Sequence, residues 1–314
     1  MGKVLATREA YGEELKALGG ENSNIVVLDA DLSKSTKTNE FAKMYPDRFV
    51  NCGIAEQNMM GVAAGLAAAG KLPFVSTFAM FASGRAFEQV RNSICYPGLN
   101  VKIAATHAGI TVGEDGASHQ TVEDIALMRV LPGMTVIVPA DAAETRQAVR
   151  AAAAVKGPVY LRLGRMAASD VFDEKYQFTL GKAAQLADGK DVTLIACGML
   201  TSAAVEAAKL LAAEGVSVRV LNMATIKPLD TAAIVAAARD TGAIVSCEEH
   251  SVLGGLGGAV AEVLGEQCPV PLERVGIQDR FGESGTPQDL LKKFGLTAAD
   301  IVGATRRVLA RKSS

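Results

Sequence analysis

The sequence predicts an α/β protein built from two doubly wound domains, a mostly parallel-sheet domain followed by a smaller α/β one. Three observations predict it. Short β-rich runs alternate with Ala-rich helical stretches, the alternation breaks once, and 314 residues is long for a single core. In the first half the runs are "NIVVLDA", "LPFVSTF", "VKIAATH", "MTVIVPA" and "PVYLRL". In the second half they are "DVTLIACG", "VSVRVLNM", "GAIVSCEE" and "LERVGI". Each is almost continuously apolar, as strands of a parallel sheet are when helices cover both faces. The rhythm stops between Arg165 and Lys190, where the chain becomes polar and turn-rich. A domain junction is expected there, with one domain over residues 1–180 and the other over 181–314.

Composition narrows the function classes. The net charge is −2, and no basic run or charge-skewed tail is visible, which argues against nucleic acid or an anionic membrane surface as partner. No apolar run approaches the ~20 residues of a spanning helix, and "MGKVLATREA" lacks a signal-peptide core. The five cysteines are dispersed without a CxxC pair, the pattern of reduced thiols. A cytoplasmic protein is expected.

In open parallel sheets, ligands sit beyond the carboxyl ends of the strands. Three such ends in the first half are rich in reactive groups: "DADLSKST", "FAMFASGR" and "THAGITVGEDGASHQ". The last holds His107 and His119, two of the three histidines in the chain, with Glu114 and Asp115 between them. Imidazoles titrate near neutrality and suit proton handling, and glycines 109, 113 and 116 permit close approach of backbone to a ligand. Nothing nearby supplies a third metal ligand at a suitable spacing. Phe78 and Phe81 stand at helical spacing after a strand, as core aromatics or as a wall for a flat ring. Arg8, Ser35 and Arg165 are phosphate-compatible groups just outside elements, though each taken alone reads as a solvated or salt-bridged residue.

Glu56 opens the stretch "EQNMMGVAAGLAAAG". An acid in the first turn is favoured by the positive helix end. The small residues that follow (Gly61, Ala63, Ala64, Gly65, Ala67, Ala68) predict close packing with little solvated face, which makes Glu56 a candidate for sharing a proton. "GGLGG", residues 254–258, is not a GxGxxG fingerprint and is expected to be close helix packing.

Together, "DRFVNCGIAEQNM", "STFAMFASGRAFEQVR", "HAGITVGEDGASHQTVEDIALMR", "PVYLRLGR", "EEHSVLGGLGGAVAE" and "DRFGESG" resemble, in order and spacing, the carboxyl-terminal portion of transketolase. The resemblance covers essentially the whole chain and implies thiamine diphosphate as cofactor. It implies that Glu56 hydrogen-bonds the aminopyrimidine ring and exchanges its proton, that Phe78 and Phe81 wall that ring, and that Asp31 contacts the cofactor. By the same match His107 and His119 serve sugar hydroxyls and proton transfer, Asp115 binds a substrate hydroxyl, and Arg8, Ser35 and Arg165 grip the sugar phosphate. The implied reaction moves a two-carbon ketol unit from a ketose phosphate to an aldose phosphate in the pentose phosphate pathway.

The resemblance also implies a missing half. No "GDG" occurs in the chain, so a separate N-terminal subunit is expected to hold the diphosphate with Mg2+ or Ca2+. A heterotetramer built on a dimer of this chain is the expected assembly. The runner-up is the beta subunit of a 2-oxo acid dehydrogenase, and a non-catalytic scaffold subunit is a third possibility. "GEDGASHQ" and Arg165 favour sugar phosphates over oxo acids.

Overall fold

The computed structural model describes residues 5–173 and 175–312. Its strands are β1 (Ile25–Asp29), β2 (Phe49–Asn51), β3 (Leu72–Phe78), β4 (Lys102–Thr106), β5 (Thr135–Ile137) and β6 (Val159–Arg162). They continue with β7 (Ala184–Ala187), β8 (Val192–Ala196), β9 (Val218–Asn222), β10 (Thr225–Lys227), β11 (Ile244–Ser251) and β12 (Leu272–Ile277). One sheet has the order β10-β5-β6-β4-β3-β1-β2, the other β12-β11-β8-β9-β7. All pairings are parallel except β10 on β5 and β7 on β9, both at sheet edges. The expected α/β architecture with two mostly parallel sheets is therefore the observed one.

Packing follows from the apolar runs. Helices Thr7–Glu21 and Ala142–Ala154 lay Tyr11, Leu15 and Val149 on one face of the first sheet against Ile25, Val27 and Phe74. On the other face Met59, Met60 and Ala63 join a core that continues into the second half through Ile195, Met223 and Leu256. The second half also lends β10 to the first sheet, a strand of three residues too short to be legible as an apolar run.

Residues 166–183 contain neither helix nor strand among those described, yet they are tied down. The Val171 and Phe172 N–H groups donate to Asp141 Oδ2 at 2.7 and 2.8 Å. The Tyr176 hydroxyl and the Asn222 amide, one from the connector and one from β9, both donate to Glu144 Oε1, at 2.6 and 2.7 Å. Burial pushes the Glu144 carboxyl up to about 7 despite these donors. One buried acid thus joins the connector and both halves of the chain.

Two expectations need correction. The helix Glu56–Ala68 does not pack on all sides. It buries Glu56, Met59, Met60, Ala63 and Ala64, while Gln57, Asn58, Gly61, Val62, Gly65 and Ala68 are exposed. A methyl group added at Gly61 or Gly65 would meet nothing within 4 Å, so small residues here leave open surface in the single chain. Phe78 is not helical: it ends β3, and Phe81 begins a wide π-type turn, Phe81–Arg85, so strand end and turn start bring the two rings together. The "GGLGG" run does pack closely, because the Leu256 and Gly257 N–H groups at that helix start hold the Glu248 carboxylate at 2.7 and 2.8 Å.

Candidate active site

The polar groups gather beyond the carboxyl ends of β1, β3, β4 and β6, as the parallel-sheet rule requires. Glu56 is only 1% exposed, at the first position of its helix. Its Oε2 accepts from Arg85 Nη1 at 2.9 Å, and that guanidinium lies 4.5 Å from the centre of the Phe81 ring. Phe81 is parallel to Phe78 within 10°, at 6.0 Å. Phe78 in turn stacks on His107 at 3.8 Å. His107 Nε2 lies 3.2 Å from Arg8 Nη1, which also donates to the Ser35 carbonyl at 2.9 Å. An unbroken row of contacts therefore runs from the buried acid to the Arg8 guanidinium. Phe78 is buried with its ring against His107, so the ring surface left for a ligand is that of the half-buried Phe81.

The state of His107 follows from its partners. Arginine has no acceptor, so Nε2 must accept from Arg8, and the ring proton sits on Nδ1, 2.9 Å from Thr106 Oγ1. Burial, with the charges of Arg8 and Arg165 behind it, pushes this imidazole down to about 3. Its backbone is left-handed at φ 57°, a strain of about 1–3 kcal/mol for a residue with a Cβ. Because the folded value is depressed, His107 contributes stability that is present above the ordinary imidazole range and lost as pH falls toward 3. Labelled-histidine NMR should find one ring still neutral at pH 5. A ring that titrates between pH 6 and 7 at that position would refute the assignment.

His119 is half-buried, meets Phe81 edge-on at 5.4 Å and pairs Nδ1 with Ser118 Oγ at 3.0 Å. Arg165 donates to the Val112 carbonyl and to Glu114 Oε2 at 3.3 Å, with Asp115 Oδ2 at 3.8 Å. The salt-bridged reading of Arg165 is thus the one seen in the free chain. Asp31 is exposed, left-handed at φ 64°, and held by Asn51 Nδ2 at 3.0 Å rather than by the ring row. Among the described residues no group of three or more His, Cys, Asp or Glu could hold a metal.

Sequence reasoning missed Arg85 and Lys37. Arg85 lies four positions after Phe81, a spacing that would have marked it as the partner of that ring. Lys37 Nζ stands 3.5 Å from Glu9 Oε1 at the helix that carries Arg8, and its charge also opposes protonation of His107. Only Gly12 allows it there, since a methyl group on residue 12 would lie 2.6 Å from the Lys37 Cβ.

Residues 3–169 match the family model for the pyrimidine binding domain of transketolase, and residues 181–301 match the model for its C-terminal domain. The chain belongs to the transketolase family. A putative transketolase C-terminal section from Methanocaldococcus jannaschii is 52% identical over 94% of this chain and 93% of its own length. A 6-deoxy-6-sulfo-D-fructose transketolase subunit from a Clostridium species is 47% identical over 98% of this chain and 95% of its own. A solved structure described as a split gene transketolase, inactive beta4 tetramer, superposes with a TM-score of 0.91 at 59% identity, covering 99% of this chain and all of that one. Transketolase-family proteins are transferases that use thiamine diphosphate, and the residues present fit it: a buried carboxylate for the ring nitrogen and the Phe81 face for the ring.

Proposed function

We propose that this chain is the C-terminal subunit of a split transketolase, transferring a two-carbon ketol unit between sugar phosphates in the pentose phosphate pathway. A separate N-terminal subunit completes it. The observation that carries the reading is the row Glu56–Arg85–Phe81–Phe78–His107–Arg8, which sets a water-excluded acid at one end and cations at the other. Bound thiamine diphosphate supplies the carbon nucleophile and the electron sink for carbon–carbon cleavage. Glu56 would take the aminopyrimidine nitrogen and exchange a proton with it, its hydrogen bond strengthened by lack of water. For that, the Arg85 guanidinium must yield its place on Oε2. Phe81 would wall the ring, with Phe78 behind it. Neutral His107 can hold a sugar hydroxyl, His119 can move a proton, and Asp115 can accept from a hydroxyl once released from Arg165. Asp31 would meet the cofactor from the partner side.

Arg8, Arg165 and the Ser35 turn would hold the anionic end of the substrate, with Lys37 beside them. Those cations suit a phosphate or a sulfonate equally. With no "GDG" in the chain, the diphosphate and its Mg2+ or Ca2+ fall to the N-terminal subunit. A second copy of this chain on the exposed side of the helix Glu56–Ala68, next to Ile54, which is 79% exposed, would cover that open apolar surface and give the core of a heterotetramer. The solved relative described as a beta4 tetramer supports self-association. A cytoplasmic setting accords with five unpaired cysteines.

Mixing experiments test the proposal. The purified chain should cleave no xylulose 5-phosphate until the metal-binding subunit is added, and then should transfer the fragment to an aldose phosphate. Full activity from the chain alone would refute the split arrangement. Decarboxylation of pyruvate in place of transfer would identify an oxo-acid dehydrogenase subunit instead. Inactivity of the mixed subunits on phosphates, with activity on a sulfonated sugar, would relocate the substrate class.

A further inference from the structure

The loop that carries both site histidines is backed by the second half of the chain. The Thr111 N–H donates to Glu249 Oε1 at 2.7 Å across 138 positions of sequence. Gly109, at φ 82°, lies so close that a methyl group there would sit 2.2 Å from the same oxygen. Glu249 is 5% exposed and belongs to β11, and its own carbonyl accepts from Arg162 Nη2 at 2.9 Å. Further along the loop, Gln120 Nε2 donates to the carbonyls of Ile110, Gly113 and Glu283. A methyl group on Gly116 would lie 2.5 Å from Ser284 Oγ. The loop is therefore moulded on residues 249 and 283–284, none of which belongs to the row of site contacts.

We propose that Glu249 is a positioning residue for ketol transfer: its carboxyl, anchored in the second sheet, fixes the turn at residues 109–113 and through it His107, Asp115 and His119. The proposal rests on the transketolase reading. A strand-borne acceptor suits the task, because a buried N–H at a tight turn needs a partner that does not move. Burial pushes the Glu249 carboxyl up, although Arg162 pulls it the other way. A neutral amide of the same shape keeps an acceptor oxygen for the Thr111 N–H and should serve equally.

The test compares Glu249→Ala, Glu249→Gln and Glu249→Asp in the complete enzyme, with xylulose 5-phosphate, and in the chain alone by labelled-histidine NMR. Only three histidines exist, so the signals are few. His250 adjoins the mutated position, so its signal reports the substitution itself and not the loop. Glu249→Ala should lower kcat about 10- to 100-fold with a much smaller change in KM, the cost of misplacing groups by roughly 1 Å. It should also shift or broaden the His107 and His119 signals. Glu249→Gln should restore kcat and both signals, and Glu249→Asp should fall between. If Glu249→Ala does not fold, the contrast of Gln with Asp decides. A purely structural clasp would lower the melting temperature while leaving kcat per assembled enzyme and both histidine signals unmoved, and that result overturns the proposal. Should the wild-type enzyme transfer no ketol unit, the functional reading fails, and the histidine signals alone decide whether Glu249 sets the loop.

Discussion

Glu56→Ala is expected to lower ketol transfer by the assembled enzyme about 10²- to 10⁴-fold, the usual range for losing a positioned proton-transfer group. Glu56 lies at the start of a helix whose next turns carry Met59, Met60 and Ala63 into the core, so its carboxylate has almost no water around it. A proton exchanged there is exchanged with whatever replaces Arg85 as partner. Glu56→Gln keeps the shape and a hydrogen bond but cannot take up and release the proton, so it should lose nearly as much. Neither change should unfold the chain. The partner Arg85 is 48% exposed and stays solvated when the acid is removed, so no buried cation is stranded. The check is a transfer assay over a thiamine diphosphate titration, with thermal melting alongside. Activity within threefold of wild type at saturating cofactor would end the catalytic role of Glu56 and revive the scaffold reading.

The largest stability effect should come from Asp124. Its two oxygens take Arg162 Nε at 2.8 Å and Nη2 at 3.1 Å, and the Tyr160 hydroxyl donates to Oδ2 at 2.8 Å. Burial alone would push this carboxyl up, but the Arg162 guanidinium outweighs it and holds it below the ordinary carboxylate range. Asp124→Ala leaves a guanidinium that is 6% exposed, with the Glu249 carbonyl as its remaining hydrogen-bond acceptor. Stranding a buried charge in this way costs about 3–5 kcal/mol. Denaturant unfolding of Asp124→Ala, Arg162→Met and the double variant measures it. The double variant should be less unstable than Asp124→Ala alone, because its buried charge has gone. Equal losses in both would contradict this account.

How much of this was visible in the sequence depends on range. The nine runs that became β1, β3, β4, β5, β6, β8, β9, β11 and β12 were legible because most are buried and largely apolar, with polar residues densest in β11 and at the start of the edge strand β12. β2, β7 and β10 were not, since each is an edge strand of three or four residues, too short to show a period, and β2 and β7 are also largely unburied. The site residues were legible as types at strand ends. Their partners were not: nothing local pairs Arg85 with Glu56, 29 positions away, and the spacing of Phe78 and Phe81 does not show that a strand end and a turn start bring the rings together.

The sequence by itself determined the α/β class, the family, and that Glu56, His107 and His119 stand in the segments that follow strand ends, where a parallel sheet presents its ligands. Tertiary structure alone decided that Arg85 occupies Glu56, that His107 is held neutral between Arg8 and Thr106, and that Glu249 supports the histidine loop. The reason is physical. Periodicity and turn chemistry act over a few residues and are written in the local order of the chain. The charge state of a buried group is set instead by neighbours brought from as far as 138 positions away, once water has left.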